Sequence, residues 1–463
     1  MIKTFKLLNK VEKNIKFELT DLLINQVIDL VDNNQDTLLL VKLNELHHAD
    51  IAEILEELNV DQSIYIIKLL ESDKTSEILM ELDEDFREQI LNNLSPKEIA
   101  KEIEELDTDD ATDIISELSV EKQKKVISKI IDAEHKADIK ELLKYDEDSA
   151  GGLMAKELVK VNENWTVTKC VKEMRIQAIE VTRVHSIYVV DDKDKLIGRL
   201  SLKDLLVANP RSNIKSVYIP KVDSVNVHDE AESVANIMQK YDLEAIPVVD
   251  DKNILLGRIT IDDIVDLIKE EAEKDYQLAA GILQDVDVDD TIVQLSRARL
   301  PWLLLGLLGG IGAAIVMGAF DEILVKHQIL FYFTPLIAAM AGNVGVQSSA
   351  IIVQGLANDD IRGSVNNRLI KETFLSILNG FILSVILFLF IMFSGEEYLV
   401  ALAISISLVI VIIVAGIIGT FIPLFLDKRG IDPAIATGPF ITTSNDIFGI
   451  LIYFYIAKLI LPI

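Results

Sequence analysis

One cysteine, Cys170, in a chain of 463 residues excludes an intrachain disulfide and fits a reducing compartment. Basic side chains are also short: 45 Lys and Arg face 74 Asp and Glu, a net charge of −29. A surface of that sign repels nucleic acid and attracts cations, so no nucleic-acid partner is expected. The deficit is local. Residues 297–463 hold 9 basic and 10 acidic side chains, which leaves 36 and 64, a net of −28, to residues 1–296. No HExxH, GxSxG or phosphate-loop motif occurs, which argues against an enzyme. The first twenty residues carry Lys3, Lys6, Lys10, Lys13 and Lys16 but lack the apolar run and cleavage site of a signal peptide. The acidic part is therefore expected to stay in the cytosol.

What is present is periodic. Leu46, Leu58, Leu70, Leu82, Leu94, Leu106, Leu118, Ile130 and Leu142 recur every 12 residues. Turn formers or caps follow most of them, among them Asp61, Asp83, Ser95-Pro96 and Ser119. Twelve residues hold a short helix and a turn, and such helices are stable only when stacked, so residues 1–145 read as an acidic helical superhelix.

A second repeat follows Ser149-Ala150-Gly151-Gly152. Residues 187–206 (IYVVDDKDKLIGRLSLKDLL) align with 246–265 (IPVVDDKNILLGRITIDDIV) at an offset of 59. Each copy reads strand, Asp-Asp turn, strand ending in Gly-Arg, then helix. The duplicated Gly-x-h-[ST]-x-x-Asp pattern resembles a tandem pair of cystathionine-β-synthase-type (CBS) domains, a Bateman module, within residues 146–268. In that family the Ser/Thr-x-x-Asp often holds a nucleotide ribose, which implies ATP at Ser201 and Asp204. Read from the residues alone, the same spacing is a helix capping box, and both readings stand. An acidic amphipathic helix then runs to Gly281, and residues 269–296 form a connecting segment.

Charge-free runs cover 300–320, 328–358, 373–395 and 398–426, and 433–457 contains one charge, Asp446. About 20 apolar residues cross a bilayer, so 297–463 reads as five membrane-spanning helices in contact with lipid. Arg297, Arg299, Arg362, Arg368, Lys371, Lys428 and Arg429 lie on the side of the acidic part. By the positive-inside rule the N-terminus is cytoplasmic and the C-terminus outside. The fold class is thus an α superhelix, an α/β CBS pair, a long connecting helix and an all-α membrane domain.

The second run carries Pro335 and Gly342, Asn343, Gly345, Gln347, Ser348 and Ser349; the fifth carries Pro439, Thr442, Thr443, Ser444, Asn445 and Asp446. Residue by residue, Gly, Ser and Thr also serve as glue between helices. A carboxylate within a span costs about 2.5–3.5 kcal/mol on insertion scales and marks a pathway. With no thiolate in the spans, this oxygen-only set favours hard cations over zinc or copper. Mg2+ suits one carboxylate because it keeps several waters; composition alone does not separate it from Ca2+ or Mn2+.

The order of parts, with DSAGGLM (148–154), GNVGVQSS and GIDPAIATGPFITTSNDIFGILIYF (430–454), resembles the MgtE magnesium channel family from about residue 40 to the end. The resemblance implies a plasma-membrane homodimer that takes up Mg2+ and is closed by cytosolic Mg2+. It places the pore ligand on Asp446 and pore lining on Asn343, Gly438 and Thr442. It implies regulatory Mg2+ ligands at Glu77, Asp109, Asp113, Glu232, Asp242, Asp263, Asp266, Glu271 and Asp275. Gly438 stands where the family can have Asn, leaving its carbonyl as the expected contact, and Lys274 stands where relatives can be acidic. Each single acid also reads as a solvated surface charge. The alternative function is a nucleotide- or ionic-strength-sensing transporter of another solute, for which inverted repeats would be expected and are not found.

Overall fold

The computed structural model describes residues 17–462, apart from 180, 182, 285, 287–289, 358–363 and 437. Lys3, Lys6, Lys10, Lys13, Lys16 and Arg362, used above for targeting and orientation, lie outside the described residues, as does most of 285–290. The chain forms two compact units, one ending at Ile268 and the other spanning Lys269–Ile463.

The 12-residue period is a turn period. Leu58, Leu70, Leu82, Leu94, Leu106 and Leu118 are buried. Each immediately precedes a helix N-cap: Asn59, Glu71, Asp83, Ser95, Asp107 and Ser119. A leucine there packs under the first turn and fixes the angle at which the chain enters the helix. Ser95 is the N-cap and Pro96 the first helical residue, as the sequence implied, and Glu98 completes a reciprocal capping box. Each helix leans on the next but one, as His48–Glu56 does on Ser72–Glu81, and that helix on Pro96–Ile103. Stacking of this kind buries faces that no single short helix could hide.

The two CBS repeats follow. Val159–Asn162, Ile187–Val190, Leu196–Leu200 and Ile219–Pro220 make one sheet; Val225–Asn226, Ala245–Val249 and Leu255–Thr260 make the other. In both, the first strand is parallel to the second and the second antiparallel to the third. The register irregularity at Val189/Val190 recurs at Val248/Val249, so the duplication holds at the level of single residues. Ala150 and Met154 of the DSAGGLM segment pack into the core of the second repeat. The helix Ile261–Ala280 ends where expected, at Gly281, whose φ of +82° suits glycine.

Five helices among the described residues are long and apolar enough to cross a membrane: Ile292–Ala319, Ile329–Ala357, Val365–Phe393, Tyr398–Asp427 and Gly438–Ile460, here the first to fifth spans. Three differ from the charge-free runs for a clear reason. The first and third begin about eight residues early, taking in Arg297, Arg299, Arg368, Lys371 and Glu372, because a helix continues beyond the apolar stretch where its backbone is already satisfied. The fifth begins late. Residues Pro433–Ala436 form a 3-10 turn, started by the Asp432 carboxylate on the Ala434 N–H at 2.8 Å, and the α-helix begins only at Gly438. The fifth span packs against the first, second and fourth. A Cβ on Gly309 would overlap the Thr443 methyl, and one on Gly345 the Asn445 amide, so these spans meet almost backbone to side chain.

Candidate functional site

Helical spacing puts residues 338, 339, 342, 343, 346 and 347 on one face of the second span, and 442 and 446 on one face of the fifth. Between these faces lies a cleft of about 430 Å3 lined by Ala338, Gly342, Asn343, Gln347, Thr442 and Asp446, with no basic side chain in its lining. Gly342 lets the two helix faces approach: a Cβ there would stand 3.2 Å from the Thr442 methyl and 3.8 Å from Asp446 Oδ1. Asn343, Thr442 and Asp446 are thus brought together, and Gln347 joins them. Gly438 is not in that lining. It sits one turn earlier, where its carbonyl accepts the Thr442 hydroxyl at 2.9 Å. The carbonyl expected to be available is engaged within its own helix. Asp446 is also not the only carboxylate within a span. Glu372 lies two turns inside the third span, where it accepts the Ser348 hydroxyl at 2.7 Å.

Gly438 has φ +35°, and a Cβ on it would overlap the Ala279 carbonyl oxygen. Gly281 repeats the fit from the other side, since its Cβ would stand 2.5 Å from Pro439 Cγ. The end of the helix Ile261–Ala280 is therefore in backbone contact with the start of the fifth span. Just before it, Asp275 is held above the usual carboxylate range by burial, then by the charges of Asp432 and Glu271. The turn that Asp432 starts places its charge near Asp275. Glu271 pairs with Lys274 at 3.1 Å.

In the first unit the helix Thr108–Ser116 carries Asp109, Asp110 and Asp113 toward Asp263. Burial pushes Asp109 well above the usual range, and Asp110, Asp263 and Asp107 add to it. Asp110 rises to about 8 through burial, then through Asp263 and Asp113. Asp113, at the exposed rim, rises to about 7 through desolvation, then through Glu147 and Asp263. Asp107 rises to about 6 through burial and Glu157, against the pull of Arg258; Glu77 contributes more weakly. Asp107, Asp110 and Glu157 escaped the sequence reading because surface-like acids reveal their company only after folding. Asp266 is exposed three residues beyond Asp263. Glu232 and Asp242 sit at opposite ends of the helix Ala231–Tyr241, about 15 Å apart, and Asp242 closes it in the left-handed region.

Both Ser/Thr-x-x-Asp pairs form capping contacts. Ser201 donates to Asp204 Oδ2 at 2.6 Å and accepts from the Asp204 N–H at 3.0 Å. Thr260 donates to Asp263 Oδ2 at 2.7 Å. Among the described residues no three His, Cys, Asp or Glu side chains converge into a ready-made metal cage. Scattered carboxylates suit an ion bound through its water shell better than one stripped of it.

Comparison with known proteins agrees along the chain. Residues 334–456 match the family model of the divalent cation transporter MgtE, 46–148 the MgtE intracellular N domain, and 150–210 and 214–270 the CBS domain. The magnesium transporter MgtE of Thermus thermophilus is 34% identical over 343 residues, covering 72% of this chain and 75% of that protein. The MgtE of Enterococcus faecalis is 36% identical, covering 71% and 72%. A crystal structure of the cytosolic domain of the Mg2+ channel MgtE in complex with ATP aligns with TM-score 0.50 and 32% identity, covering 53% of this chain and 99% of that one. With family models matched between residues 46 and 456 and relatives 34–36% identical over more than two thirds of each chain, this chain belongs to the MgtE family of magnesium transporters.

Proposed function

We propose that this protein admits hydrated Mg2+ to the cytosol through the cleft at Asp446, in a homodimer, and that cytosolic Mg2+ closes it. The observation that carries the reading is the cleft itself: one carboxylate faces Asn343, Gln347 and Thr442 with no basic side chain in the lining. Neutral oxygens can hold the waters of the ion while Asp446 offsets the cost of bringing its charge into the bilayer. Apolar side chains at Leu206 (84% exposed), Val207 (77%) and Val265 (56%) on the CBS helices support pairing with a second copy. The N-terminal unit is cytoplasmic and the C-terminus outside.

For regulation, Mg2+ bridges Asp109 and Asp113 to Asp263, and another Mg2+ joins Asp275 to Asp432. Each ion replaces repulsion between carboxylates with attraction, so it favours the arrangement in which they are close. ATP binding at Ser201 and Asp204 fits the ATP complex of the related cytosolic domain. Flux into proteoliposomes containing only this protein tests the reading. Asp446→Asn keeps the size of the side chain and removes its charge, so Mg2+ uptake should fall by roughly tenfold or more with the protein still folded. Uptake at the wild-type rate would refute the assignment.

A further inference from the structure

A hydroxyl inside a helix often bonds back to the carbonyl one turn earlier. In the spans, Thr334 donates to the Leu330 carbonyl at 3.1 Å, Ser407 to that of Ala403 at 2.7 Å and Thr442 to that of Gly438 at 2.9 Å. Ser348 does otherwise. Its buried side chain reaches across to the third span and donates to Glu372 Oε1 at 2.7 Å. The Ser376 hydroxyl, one turn further along the third span, stands 3.5 Å from the same oxygen. The fourth span leaves room for this group: a Cβ on Gly416 would overlap Ser376 Oγ and stand 2.9 Å from Glu372 Oε1. A carboxylate within a span is costly, and the lining of the cleft does not include this one.

The place of the bond on the second span gives it a use. Gln347 lines the cleft, and Ser348, the next residue, points about 100° further round the same helix. One turn before Ser348 the second span meets the fourth at Gly345, whose carbonyl oxygen a Cβ on Gly419 would overlap. Glycine faces let two helices approach closely, but without side chains to interlock they resist rotation weakly. A directional hydrogen bond at Ser348 supplies what that smooth contact lacks.

We propose that Glu372 is a positioning residue: its bond to Ser348 fixes the rotation of the second span and so keeps Asn343 and Gln347 turned to the path of the ion. The inference rests on the reading of the cleft as the Mg2+ path and goes beyond it, since Glu372 serves the ion without touching it. Its working part is the acceptor oxygen and not the charge. A carboxylate that held a cation of its own would need the charge. The two roles part at Glu372→Gln, which keeps a carbonyl for the Ser348 hydroxyl and carries no charge.

The test uses the full-length protein in proteoliposomes and two readouts. The first is a thiol at the cleft, Gln347→Cys, reacted with a positively charged methanethiosulfonate; the native Cys170 is buried. Glu372→Ala or Ser348→Ala should slow that reaction about tenfold, the two together should slow it no further, and Glu372→Gln should leave it within about twofold. The second readout is Mg2+ uptake without the reporter. Ser348→Ala should raise the half-saturating Mg2+ several-fold and change the maximal rate less, because the groups that hold the waters of the ion are displaced while Asp446 remains. If Glu372→Ala does not elute as wild type does in size-exclusion chromatography, Ser348→Ala alone decides. Unchanged thiol reactivity in these variants, a Glu372→Gln as slow as Glu372→Ala, or a conducting Ser348→Ala with wild-type half-saturation would overturn the proposal. If the thiol rates behave as stated but wild type takes up no Mg2+, the orienting bond stands and the reading of the cleft as the Mg2+ path fails.

Discussion

At the scale of single residues, Asp446 was legible because a carboxylate in an apolar run has few structural uses. Gly438 was legible only as a departure from a motif; its contact with Ala279 needed the fold. That contact makes a prediction. An alanine at 438 meets both a left-handed backbone and the Ala279 carbonyl oxygen, so the helix end must withdraw from the fifth span. Gly438→Ala should leave flux at low Mg2+ intact and raise several-fold the Mg2+ needed for closure, measured in proteoliposomes; closure at the wild-type concentration would show that the contact is not part of the gate. Asp204 allows a second test. Its carboxylate is shared with Ser201, a bond that stabilises the short helix Leu202–Val207 by roughly 1 kcal/mol at most. Asp204→Ala should therefore weaken ATP binding by calorimetry while barely moving the melting temperature. Unchanged affinity would leave the pair a cap and nothing more.

At the scale of elements, the helix Thr108–Ser116 concentrates groups that prefer their protonated form. Asp107, Asp113 and Asp110 are raised to about 6, 7 and 8 in the folded protein. The unfolded chain releases these protons near pH 4, so between about pH 4 and 8 the folded state binds more protons than the unfolded one. Stability must then fall as pH rises through that window. In chelator, the melting temperature of the full-length protein should drop between about pH 5.5 and 8.5. Saturating Mg2+ should flatten the dependence by taking the place of the protons. A melting temperature that rises with pH in chelator would contradict the crowding of these carboxylates. The period that placed this helix was plain in the sequence, because buried leucines before each N-cap repeat at fixed spacing. Which of its acids face Asp263 was not, because that depends on how the superhelix packs on the CBS repeats.

At the scale of the molecule, nearly all the excess charge lies in residues 1–296, a net of −28 per chain. Carboxylates closer than the Debye length of about 8 Å repel unless cations lie between them. If Mg2+ closes the protein by bridging specific acids, high Mg2+ should protect the connecting helix from trypsin at Lys269 and Lys274 and stop flux over the same concentration range. Asp109→Ala combined with Asp263→Ala should shift both midpoints to higher Mg2+ together. Protection reproduced fully by about 1 M NaCl would mean that screening suffices and that no specific bridge is needed.

The sequence by itself determined the parts and their order. A 12-residue leucine period, a duplicated 59-residue CBS unit and five apolar runs are local patterns, and local patterns decide which residues become helix, strand or span. It also made Asp446 conspicuous, because its surroundings in the chain are apolar, and the fold sets that residue in the lining of a cleft. Only the tertiary structure decided which polar groups meet: Asp275 with Asp432, Asp107 with Arg258, Thr108 with Glu157, and Ser348 with Glu372. These pairs join residues far apart in the chain. Any one of them looks like an ordinary solvated side chain until burial removes the water and makes the identity of its neighbour matter.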